Sequence, residues 1–492
     1  MHTSMIHLPV NLFLASQVED AEKAFVGAKD ISLNQLVEAA GTKAFELLSS
    51  SIDRASPILL LAGYGNNGAD TYVCARLLIE AGYQISLMGL DKTQMGTEVL
   101  SAQSEFRRVG GRVECSDIDK ILSASIIVDG LLGVGCKGEL RGQFKPIIEA
   151  VNLSKAKVFS LDIPSGLNPD TGAGEGAVIA NVTLTFGAVK QGLLTGRARA
   201  CVGELLFADI GLTEYLSPPS SKMISLDFVR EHIIPRSKYS HKGDSGKVSI
   251  IGGDTGMAGA VRLAAEACLR AGSGLVTVIS KPAHQLAVNA TRPELMFWGC
   301  DLVDMEVYLK LGWADVLLIG PGLGQQDWGY NLLKAVGLSD KPCVLDADAL
   351  NMLSREPYKQ EKWVLTPHSA EAAKLLGITT GEVEQDRFAA VKAIQTKYGG
   401  VAVLKGPGTL ICGAKECVVA PVGNPGLASG GAGDALGGVI SALMAQGFDS
   451  FTAAKMGVVI HGEAADRAAL EGERGMLASD LMPHIRHLVN NL

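Results

Sequence analysis

The chain of 492 residues has few aromatic side chains and no long basic or apolar run. Aromatic residues make up 5% of the sequence, so a surface on which nucleic-acid bases stack is not expected. The net charge is −8 and no Lys/Arg cluster exceeds a pair or two, which argues against a polyanionic partner. No apolar stretch reaches the roughly 18 residues that a membrane span requires. We therefore expect neither nucleic acid nor a membrane as a partner.

Cysteine pairs at metal-binding or redox spacing are also missing. The nine cysteines are scattered through apolar segments and contain no CxxC motif, which predicts buried thiols in a reducing compartment. No Lys or Arg precedes Lys23, so the start of the chain lacks the basic region of a signal peptide. These features together predict a cytoplasmic protein.

Glycine, by contrast, is abundant, and its 58 residues concentrate in short loops between apolar runs. The runs alternate with helical patterns, which is typical of α/β proteins with parallel sheets covered on both faces. The expected strands are Ile58–Ala62, Ile85–Leu90, Ile126–Val128, Val158–Leu161 and Val182–Phe186, then Val248–Ile251, Leu275–Ile279, Val316–Ile319, Val344–Leu345, Trp363–Leu365 and Val401–Leu404. A Pro- and Ser-rich stretch at 217–221 separates the two sets, so we expect domains at about 1–217 and 222–492.

The segment Gly63–Asp70, GYGNNGAD, directly follows a buried strand of the first half and opens a helix. Its glycines allow close backbone approach, and free N–H groups at a helix start attract phosphate. Because strand ends of a doubly wound sheet share one crevice, four oxygen-bearing residues are expected together there: Asn67, Asp129, Asp162 and Ser165. Such oxygens suit a hard cation, and a carboxylate could also move a proton. The structural alternative is that Asp129 and Asp162 merely cap loops.

Together, GYGNNGAD, DGLLGVG and LDIPSG resemble the NAD(P)H-hydrate epimerase domain over residues of about 10 to 215. The resemblance implies a Rossmann-like doubly wound sheet that interconverts the R and S forms of hydrated NAD(P)H beside a potassium ion. It implies nucleotide contacts from Asn66, Asn67, Gly68, Ala69, Asp70, Gly133, Val134, Gly135, Cys136, Lys137, Gly138, Glu139 and Asp162, of which Asp162 is the catalytic candidate. Potassium would be bound by Asn67, Asp129 and Ser165.

The first half departs from the family run NNGGDG, because Ala69 and Thr71 stand where glycines are usual. A methyl group at position 69 would obstruct a close approach of backbone to phosphate. The departures therefore leave open a first half that binds nucleotide without catalysis. Lys190, in FGAVKQG, is either a phosphate contact or a solvated surface lysine.

The most informative segment of the second half is Asn424–Gly438, NPGLASGGAGDALGG, in which small residues lead into a helix expected at Ala435–Ala445. Backbone N–H groups of residues 432–434 would point at one spot and form an anion hole. Asp434 could accept a proton from a substrate hydroxyl that attacks phosphorus, and an ordinary Asp pKa of about 4 would keep it ionised. The structural alternative is a glycine-rich helix start with an Asp cap.

This segment resembles the GAGD anion hole of ribokinase-like kinases. Five further motifs follow the family order, namely SHKGDSGK, LIGPGLG, VLDADALN, LTPHSAE and LKGPGT, and the set resembles the NAD(P)H-hydrate dehydratase domain over about 225–490. The family phosphorylates the hydroxyl of the hydrated coenzyme and then eliminates phosphate. The two-domain fusion resembles the family members that use ADP and release AMP, and this resemblance implies ADP as the donor, with AMP and phosphate as products.

Carried over by motif, the substrate contacts of the second half are Ala260, Gly322, His368 and the base Asp434, and the nucleotide contacts are Lys405, Gly406, Pro407, Gly408, Thr409 and Gly433. Mg²⁺ is expected on the nucleotide phosphates, with Asp346 and Glu371 as candidates for its water shell. Helix capping or salt bridging is the structural alternative for those two carboxylates.

The sequence thus predicts a bifunctional enzyme that repairs hydrated NAD(P)H, acting on small molecules and assembled as a homo-oligomer. The alternative is a vitamin-type alcohol kinase of the ribokinase-like class fused to a non-catalytic nucleotide-binding module.

Overall fold

The computed structural model describes residues 8–29, 32–90, 95–135, 140 and 142–490. The chain divides into two compact units, residues 1–222 and 223–492. Among the described helices, none is long and apolar enough to cross a membrane.

The first unit is built on a seven-stranded sheet. Its elements in chain order are β1 (Asn11–Leu12), α1 (Ala15–Lys29), α2 (Leu33–Ser51), β2 (Ile58–Ala62), α3 (Asn66–Glu80), β3 (Ile85–Gly89), α4 (Thr97–Arg108), β4 (Val113–Glu114), α5 (Ile118–Ser123), β5 (Ile126–Gly130), α6 (Phe144–Leu153), β6 (Lys157–Leu161), β7 (Val182–Phe186), α7 (Ala198–Cys201), β8 (Glu204–Ala208) and β9 (Ser221–Met223). The sheet order is β4-β3-β2-β5-β6-β7-β8, and all neighbours are parallel.

Helices cover both faces of this sheet, as the continuous apolar strands predict. In β2, Leu60 and Ala62 pack into the core shared with α2, α3 and α4, whereas Leu59 and Leu61 pack into the core shared with α5 and α6. The strand order reverses between β2 and β5, which makes the carboxyl ends of these strands the place for a ligand.

The second unit is a larger α/β sheet. Its elements are α8 (Leu226–His232), β10 (Lys247–Ile251), α9 (Ala258–Arg270), β11 (Leu275–Ser280), α10 (Gln285–Asn289), β12 (Met296–Gly299), α11 (Met305–Trp313), β13 (Val316–Ile319), α12 (Asp327–Gly337), β14 (Cys343–Leu345), α13 (Ala347–Arg355), β15 (Trp363–Leu365), α14 (Ser369–Leu376), α15 (Thr380–Gln385), α16 (Arg387–Tyr398), β16 (Val401–Leu404), β17 (Thr409–Cys412), β18 (Cys417–Ala420), α17 (Ala432–Ala445), α18 (Ser450–Ala468) and α19 (Leu481–Leu488). The strand order is β18-β17-β16-β15-β14-β13-β10-β11-β12.

Part of this second sheet is antiparallel, and it includes two strands, β17 and β18, that the sequence analysis did not predict. β16 pairs with β17 and β17 pairs with β18 in antiparallel fashion, while the pairs from β16 through β15, β14, β13, β10 and β11 to β12 are parallel. The connections at 405–408 and 413–416 are too short for a parallel crossover, so they form hairpins.

The cysteine prediction is wrong at three positions. Cys412 and Cys417 are cross-strand partners in the β17–β18 hairpin and form a disulfide, and Cys115 is exposed. The facing register places the two sulfur atoms together, a relation that the sequence spacing alone did not reveal. Five other cysteines are buried free thiols as predicted: Cys74, Cys201, Cys268, Cys300 and Cys343. Cys136 lies outside the described residues.

Candidate active sites

The first candidate site lies where the strand order of the first unit reverses. The helix α3 begins just after β2, and its first turn is formed by Asn66, Asn67, Gly68, Ala69 and Asp70. Gly68 lets this turn lie against the preceding loop, because a Cβ atom there would be 2.0 Å from the carbonyl oxygen of Gly63. Gly133, from the loop after β5, lies against Asn67, with 3.2 Å between its ideal Cβ position and the Asn67 Cβ. Two of the predicted nucleotide-binding segments therefore meet.

A buried hydrogen-bond network joins the ends of β5 and β6 around Asp129, which is 0% exposed. One carboxylate oxygen of Asp129 accepts from Ser165 Oγ at 2.6 Å, and the other accepts from the Ser165 N–H at 2.9 Å. The other donors to this carboxylate are Ser160 Oγ and the Leu131 N–H. Burial raises the pKa of Asp129, and the hydrogen bonds from Ser165 oppose the rise.

Asn67 joins the same network from the start of α3. Its Nδ2 donates to the carbonyl oxygens of Leu132, at 2.9 Å, and Leu161, at 3.0 Å, while the Leu132 N–H donates to Ser165 Oγ. Within the described residues, the buried Oδ1 of Asn67 has no hydrogen-bond partner. The structure thus brings together Asn67, Asp129 and Ser165, and it leaves one buried amide oxygen available to a cation.

Asp162 follows β6 with a φ of 60°, a left-handed backbone that non-glycine residues seldom adopt. Its Oδ1 accepts from Lys190 Nζ at 2.5 Å and from the Phe186 N–H at 3.2 Å. Lys190 is 1% exposed and also donates to the Phe186 carbonyl oxygen at 3.0 Å. The solvated alternative for Lys190 is therefore wrong, because its ammonium group is buried in an ion pair.

Two further carboxyl groups lie within electrostatic range of this ion pair. Burial raises the pKa of Glu22, on α1, to about 7, and Lys190 and Asp162 act on it in opposite directions. Burial also raises the pKa of Asp70, and Asp162 and Glu22 add to that rise. The start of α1 is fixed beside Lys190, since Phe13 forms a β-bridge with Lys190 and donates its N–H to the Val189 carbonyl oxygen at 3.0 Å.

The two residues that depart from the family run, Ala69 and Thr71, are both buried. The methyl group of Ala69 is 0% exposed and belongs to the core formed with α2 and α4, so the expected obstruction of a phosphate is wrong. Thr71 is equally buried and donates its hydroxyl to the Asn67 carbonyl oxygen at 2.8 Å. Gly130 makes room for it, because a Cβ atom there would lie 1.7 Å from Thr71 Oγ1.

The rest of the predicted loop after β5 is only partly described. Val134 is half-buried and Gly135 is exposed, with nothing within 4 Å of an ideal Cβ at Gly135. Four predicted contacts lie outside the described residues: Cys136, Lys137, Gly138 and Glu139.

The second candidate site centres on Lys405, which follows β16. Its Nζ donates to Asp346 Oδ1 at 2.7 Å, and an ideal Cβ on Gly433 would lie 3.2 Å from Nζ and 3.3 Å from Asp346 Oδ2. Gly433 and Asp434 occupy the first turn of α17, whose N-cap is Gly431 with a φ of 90°. The structure therefore gathers the predicted lysine and the glycine-rich helix start at one point.

Asp434 is a stronger base than the sequence analysis assumed. Burial, followed by the charge of Asp346, raises the pKa of Asp434 to about 6, and Lys405 opposes the rise. Burial would lower the pKa of Lys405, but Asp346 and Glu371 outweigh it and raise the value. At pH 7 a carboxyl group of pKa about 6 is still mostly ionised, and it accepts a proton more readily than an ordinary Asp.

His368 is displayed at the start of α14. It is the N-cap residue, and its Nδ1 accepts from the Ala370 N–H at 3.1 Å. Glu371 Oε2 accepts from the His368 N–H at 2.9 Å, and burial raises the pKa of Glu371. Capping of His368 by Glu371 and pairing of Asp346 with Lys405 are thus both present, as the structural alternative predicted. Among the described residues, no group of three or more His, Cys, Asp or Glu has the arrangement of a metal site.

The remaining predicted residues lie in the loop after β13, on the first turn of α9 and in the β16–β17 connection with the first residue of β17. Gly322 has a φ of 55° after β13, and its ideal Cβ would lie 3.2 Å from the Cβ of Ala260 on α9. Thr409 donates its hydroxyl to the Gly406 carbonyl oxygen at 3.1 Å, which closes the loop with Pro407 and Gly408. A Cβ on Gly320 would lie 1.8 Å from the Asp346 carbonyl oxygen, so the β13 and β14 loops touch.

Two buried polar residues of the second site were missed by the sequence analysis. Arg387, on α16, is 0% exposed and contacts the loop after β16, while His461, on α18, donates Nε2–H to the Ala432 carbonyl oxygen at 2.9 Å. Burial lowers the pKa of His461 to about 4, so this donor is neutral. Both helices carry other charged residues, such as Lys392 on α16 and Arg467 on α18, so a polar residue in either sequence does not indicate a buried contact.

Fold and sites together define a two-unit α/β enzyme, in which a Rossmann-like unit precedes a ribokinase-like unit. A family model described as NAD(P)H-hydrate dehydratase matches residues 248–487, and one described as the YjeF-related protein N-terminus matches residues 33–192. The bifunctional NAD(P)H-hydrate repair enzyme Nnr of Escherichia coli K12 is 41% identical over 496 residues, covering 100% of this chain and 96% of the relative. The chain belongs to the bifunctional NAD(P)H-hydrate repair enzymes.

A second repair enzyme matches nearly the whole chain, and a solved structure matches about half of it. The repair enzyme of Coxiella burnetii is 43% identical over 488 residues, covering 97% of this chain and 99% of its own. The crystal structure of a ribokinase-like superfamily protein from Enterococcus faecalis V583 is 30% identical with a TM-score of 0.52, and covers 56% of this chain and 97% of that one. The matches do not favour a vitamin-type alcohol kinase fused to a non-catalytic module.

Proposed function

We propose that the second unit converts S-NAD(P)HX to NAD(P)H at the expense of ADP, and that the first unit interconverts the R and S epimers. Water adds to the nicotinamide ring on either face, so a stereospecific dehydratase alone would strand one epimer. The observation that carries the proposal is the meeting of Lys405, Gly433 and Asp434 at the start of α17.

In the second unit, Asp434 takes the proton of the substrate hydroxyl while the hydroxyl oxygen attacks the β-phosphorus of ADP. The new O–P bond forms as the bond from that phosphorus to the AMP oxygen breaks, and AMP leaves. The phosphate ester then departs with its C–O electron pair as a ring proton is lost, which restores the double bond of NAD(P)H. Phosphate is a far better leaving group than hydroxide, which is the chemical reason for the kinase step.

Loops around Asp434 position both reactants. Lys405 and the N–H group of Gly406 would bind the ADP phosphates, with Pro407, Gly408, Thr409 and Gly433 alongside. Ala260, Gly322 and His368 would contact the hydrated coenzyme. The adjacency of Ala260 and Gly322, and the display of His368 at a helix start, support this assignment.

The donor set of the second site suits Mg²⁺ carried by the phosphates. Asp346, Glu371 and Asp434 surround Lys405 closely enough to affect its pKa, so the cluster has an excess of negative charge. Asp346 and Glu371 would hold the ion through water, and the ion would neutralise phosphate charge.

In the first unit, we assign proton movement at the coenzyme ring to Asp162, beside Lys190. The residues Asn66, Asn67, Gly68, Ala69, Asp70, Gly133, Val134 and Gly135 would line the nucleotide together with Cys136, Lys137, Gly138 and Glu139. Potassium fits at Asn67 through its unpartnered Oδ1, and Asp129 and Ser165 would supply charge and a hydroxyl oxygen. The ion would supply charge that orients the nucleotide.

The deciding experiment incubates the pure protein with S-NADHX, Mg²⁺ and either ADP or ATP, and follows the near-ultraviolet absorbance of NADH. Recovery with ADP, accompanied by AMP, is expected, and Asp434→Asn should abolish it. Absence of recovery with both nucleotides would refute the dehydratase assignment. The epimerase is tested with Asp162→Asn, which should consume the R epimer no faster than the spontaneous rate.

We also propose a cytoplasmic location and a homo-oligomeric assembly. The five buried free thiols support a reducing compartment, while the Cys412–Cys417 disulfide does not. Light scattering on the purified protein measures the assembly directly, and a monomer would contradict it.

A further inference from the structure

The side chain of Arg387 lies between two loops of the second candidate site. It is 0% exposed, and its Nη2 donates to the carbonyl oxygens of Leu404, at 3.2 Å, and Lys405, at 3.1 Å. Its Nη1 donates to Ser369 Oγ at 3.3 Å and to Glu384 Oε1 at 2.8 Å. One guanidinium group therefore connects the end of β16, the start of α14 and the end of α15.

These contacts fix two successive peptide groups of the Lys405 loop. The peptide between Leu404 and Lys405 is held at both ends, because its carbonyl accepts from Arg387 and its N–H donates to the Pro367 carbonyl oxygen at 2.9 Å. The next peptide has only its carbonyl held by Arg387. In a trans peptide the N–H points opposite to the carbonyl, so the Gly406 N–H is directed away from Arg387.

Gly406 is exposed, and its N–H has no acceptor in the part of the chain that the structure describes. Gly406 has a φ of 141°, and a Cβ there would lie 2.9 Å from Arg387 Nη2. Glycine at this position lets the guanidinium approach the backbone closely. The buried guanidinium of Arg387 thus holds the carbonyl oxygen of the peptide between Lys405 and Gly406. The N–H of the same peptide stays available to a ligand.

Stability alone does not require a guanidinium group here. Burying a charge is costly, and apolar side chains of similar size often stabilise a core equally well. A planar fork of five donors can bridge acceptors on three segments, which neither an apolar side chain nor a lysine can reproduce.

We propose that Arg387 is a positioning residue for phosphoryl transfer, which orients the Gly406 N–H toward the nucleotide phosphates and ties that loop to the start of α14. The inference rests on the proposed use of ADP by the second unit. Arg387 acts through the backbone of Lys405 and Gly406 and does not touch the substrates.

The test compares Arg387→Gln and Arg387→Lys with Val391→Ala, a fully buried position one turn further along α16. Arg387→Gln should raise KM for ADP about tenfold, as expected for the loss of a charge-assisted hydrogen bond, with a smaller change in KM for S-NADHX. Arg387→Lys should recover part of this loss, because an ammonium group still reaches a carbonyl oxygen. Val391→Ala should lower Tm and leave KM for ADP unchanged.

Calorimetric titration with ADP and Mg²⁺, without hydrated coenzyme, separates this inference from the proposed reaction. Weaker ADP binding in Arg387→Gln, with partial recovery in Arg387→Lys, supports the inference even if the wild type restores no NADH. An equal loss of ADP affinity in Val391→Ala would overturn the inference. If Arg387→Gln does not fold, equal ADP affinity in the wild type and Arg387→Lys would overturn it as well. A wild-type protein that does not bind ADP would overturn both.

Discussion

Replacing Asp434 with Asn should abolish NADH recovery and at the same time stabilise the protein at neutral pH. The pKa of Asp434 is raised from 3.8 to about 6, so the native site holds an ionised carboxylate under conditions that favour its neutral form. A difference of about two pKa units corresponds to about 3 kcal/mol, which is an upper limit for this partly buried group. Asn removes the charge while keeping the shape of the side chain.

The sign of this effect sets its pH window. The pKa of Asp434 is higher in the folded state than in the unfolded state, so protonation of Asp434 stabilises the native state. This stabilisation is complete below about pH 4 and is lost as the pH rises through about 6. The advantage of Asp434→Asn should therefore be near its maximum at pH 7 and about half as large at pH 5.

Thermal unfolding of the wild type and Asp434→Asn at several pH values between 5 and 7.5, combined with the NADH assay, measures both effects. Asp434→Glu is a control that retains the charge and should not gain stability. The reasoning would be refuted if Asp434→Asn were inactive but had a lower Tm than the wild type at pH 7. A gain in Tm that does not depend on pH would also refute it.

Three predictions concern the first unit. Lys190→Met should destabilise the unit by up to about 3 kcal/mol and abolish epimerisation, because it leaves the half-buried carboxylate of Asp162 without its cationic partner. Unfolding and R-epimer consumption measure the two effects. Ala69→Gly should cost about 1 kcal/mol and give no faster epimerisation, since the methyl group packs in the core; a faster variant would contradict that placement. Asn67→Ala should remove any difference between epimerase rates in K⁺ and Na⁺, because the unpartnered amide oxygen is lost; a retained difference would exclude this site.

The sequence predicted the central strands well because both sheets bury them on both faces. Ile58–Ala62, Val182–Phe186, Val316–Ile319, Trp363–Leu365 and Val401–Leu404 begin and end where they were expected. The edge strands β4 and β8 of the first sheet were missed, and so was the β17–β18 hairpin of the second sheet. An edge strand is covered less completely, so its apolar pattern is shorter or interrupted.

Site residues were predictable where a motif follows a strand, since the carboxyl ends of parallel strands meet in space. Pairings across the chain were not predictable. Asp162 and Lys190 are 28 residues apart, and Asp346 and Lys405 are 59 apart, with no local pattern connecting either pair. The burial of Arg387 was equally hidden, because its acceptors are backbone carbonyl oxygens and carry no mark in the sequence.

The two sites share an electrostatic arrangement. In each, a lysine is paired with an aspartate at a strand end: the buried Lys190 with Asp162, and the half-buried Lys405 with the buried Asp346. In each, a further carboxyl group has a pKa near neutrality, about 7 at Glu22 and about 6 at Asp434. A group of this pKa exchanges protons most effectively near physiological pH.

This parallel leads to a prediction for Glu22, which no sequence motif had indicated. If Glu22 exchanges protons during epimerisation, Glu22→Gln should lower kcat for R-epimer consumption about a hundredfold and remove a pH limb near 7, with dehydratase activity unchanged. The charged groups that act on it are Asp162, Lys190, Glu19 and Lys23. Glu19→Gln, on the same helix, is the matched control and should retain the limb. An unchanged profile in Glu22→Gln would leave proton exchange to Asp162 and limit Glu22 to a structural role at the start of the chain.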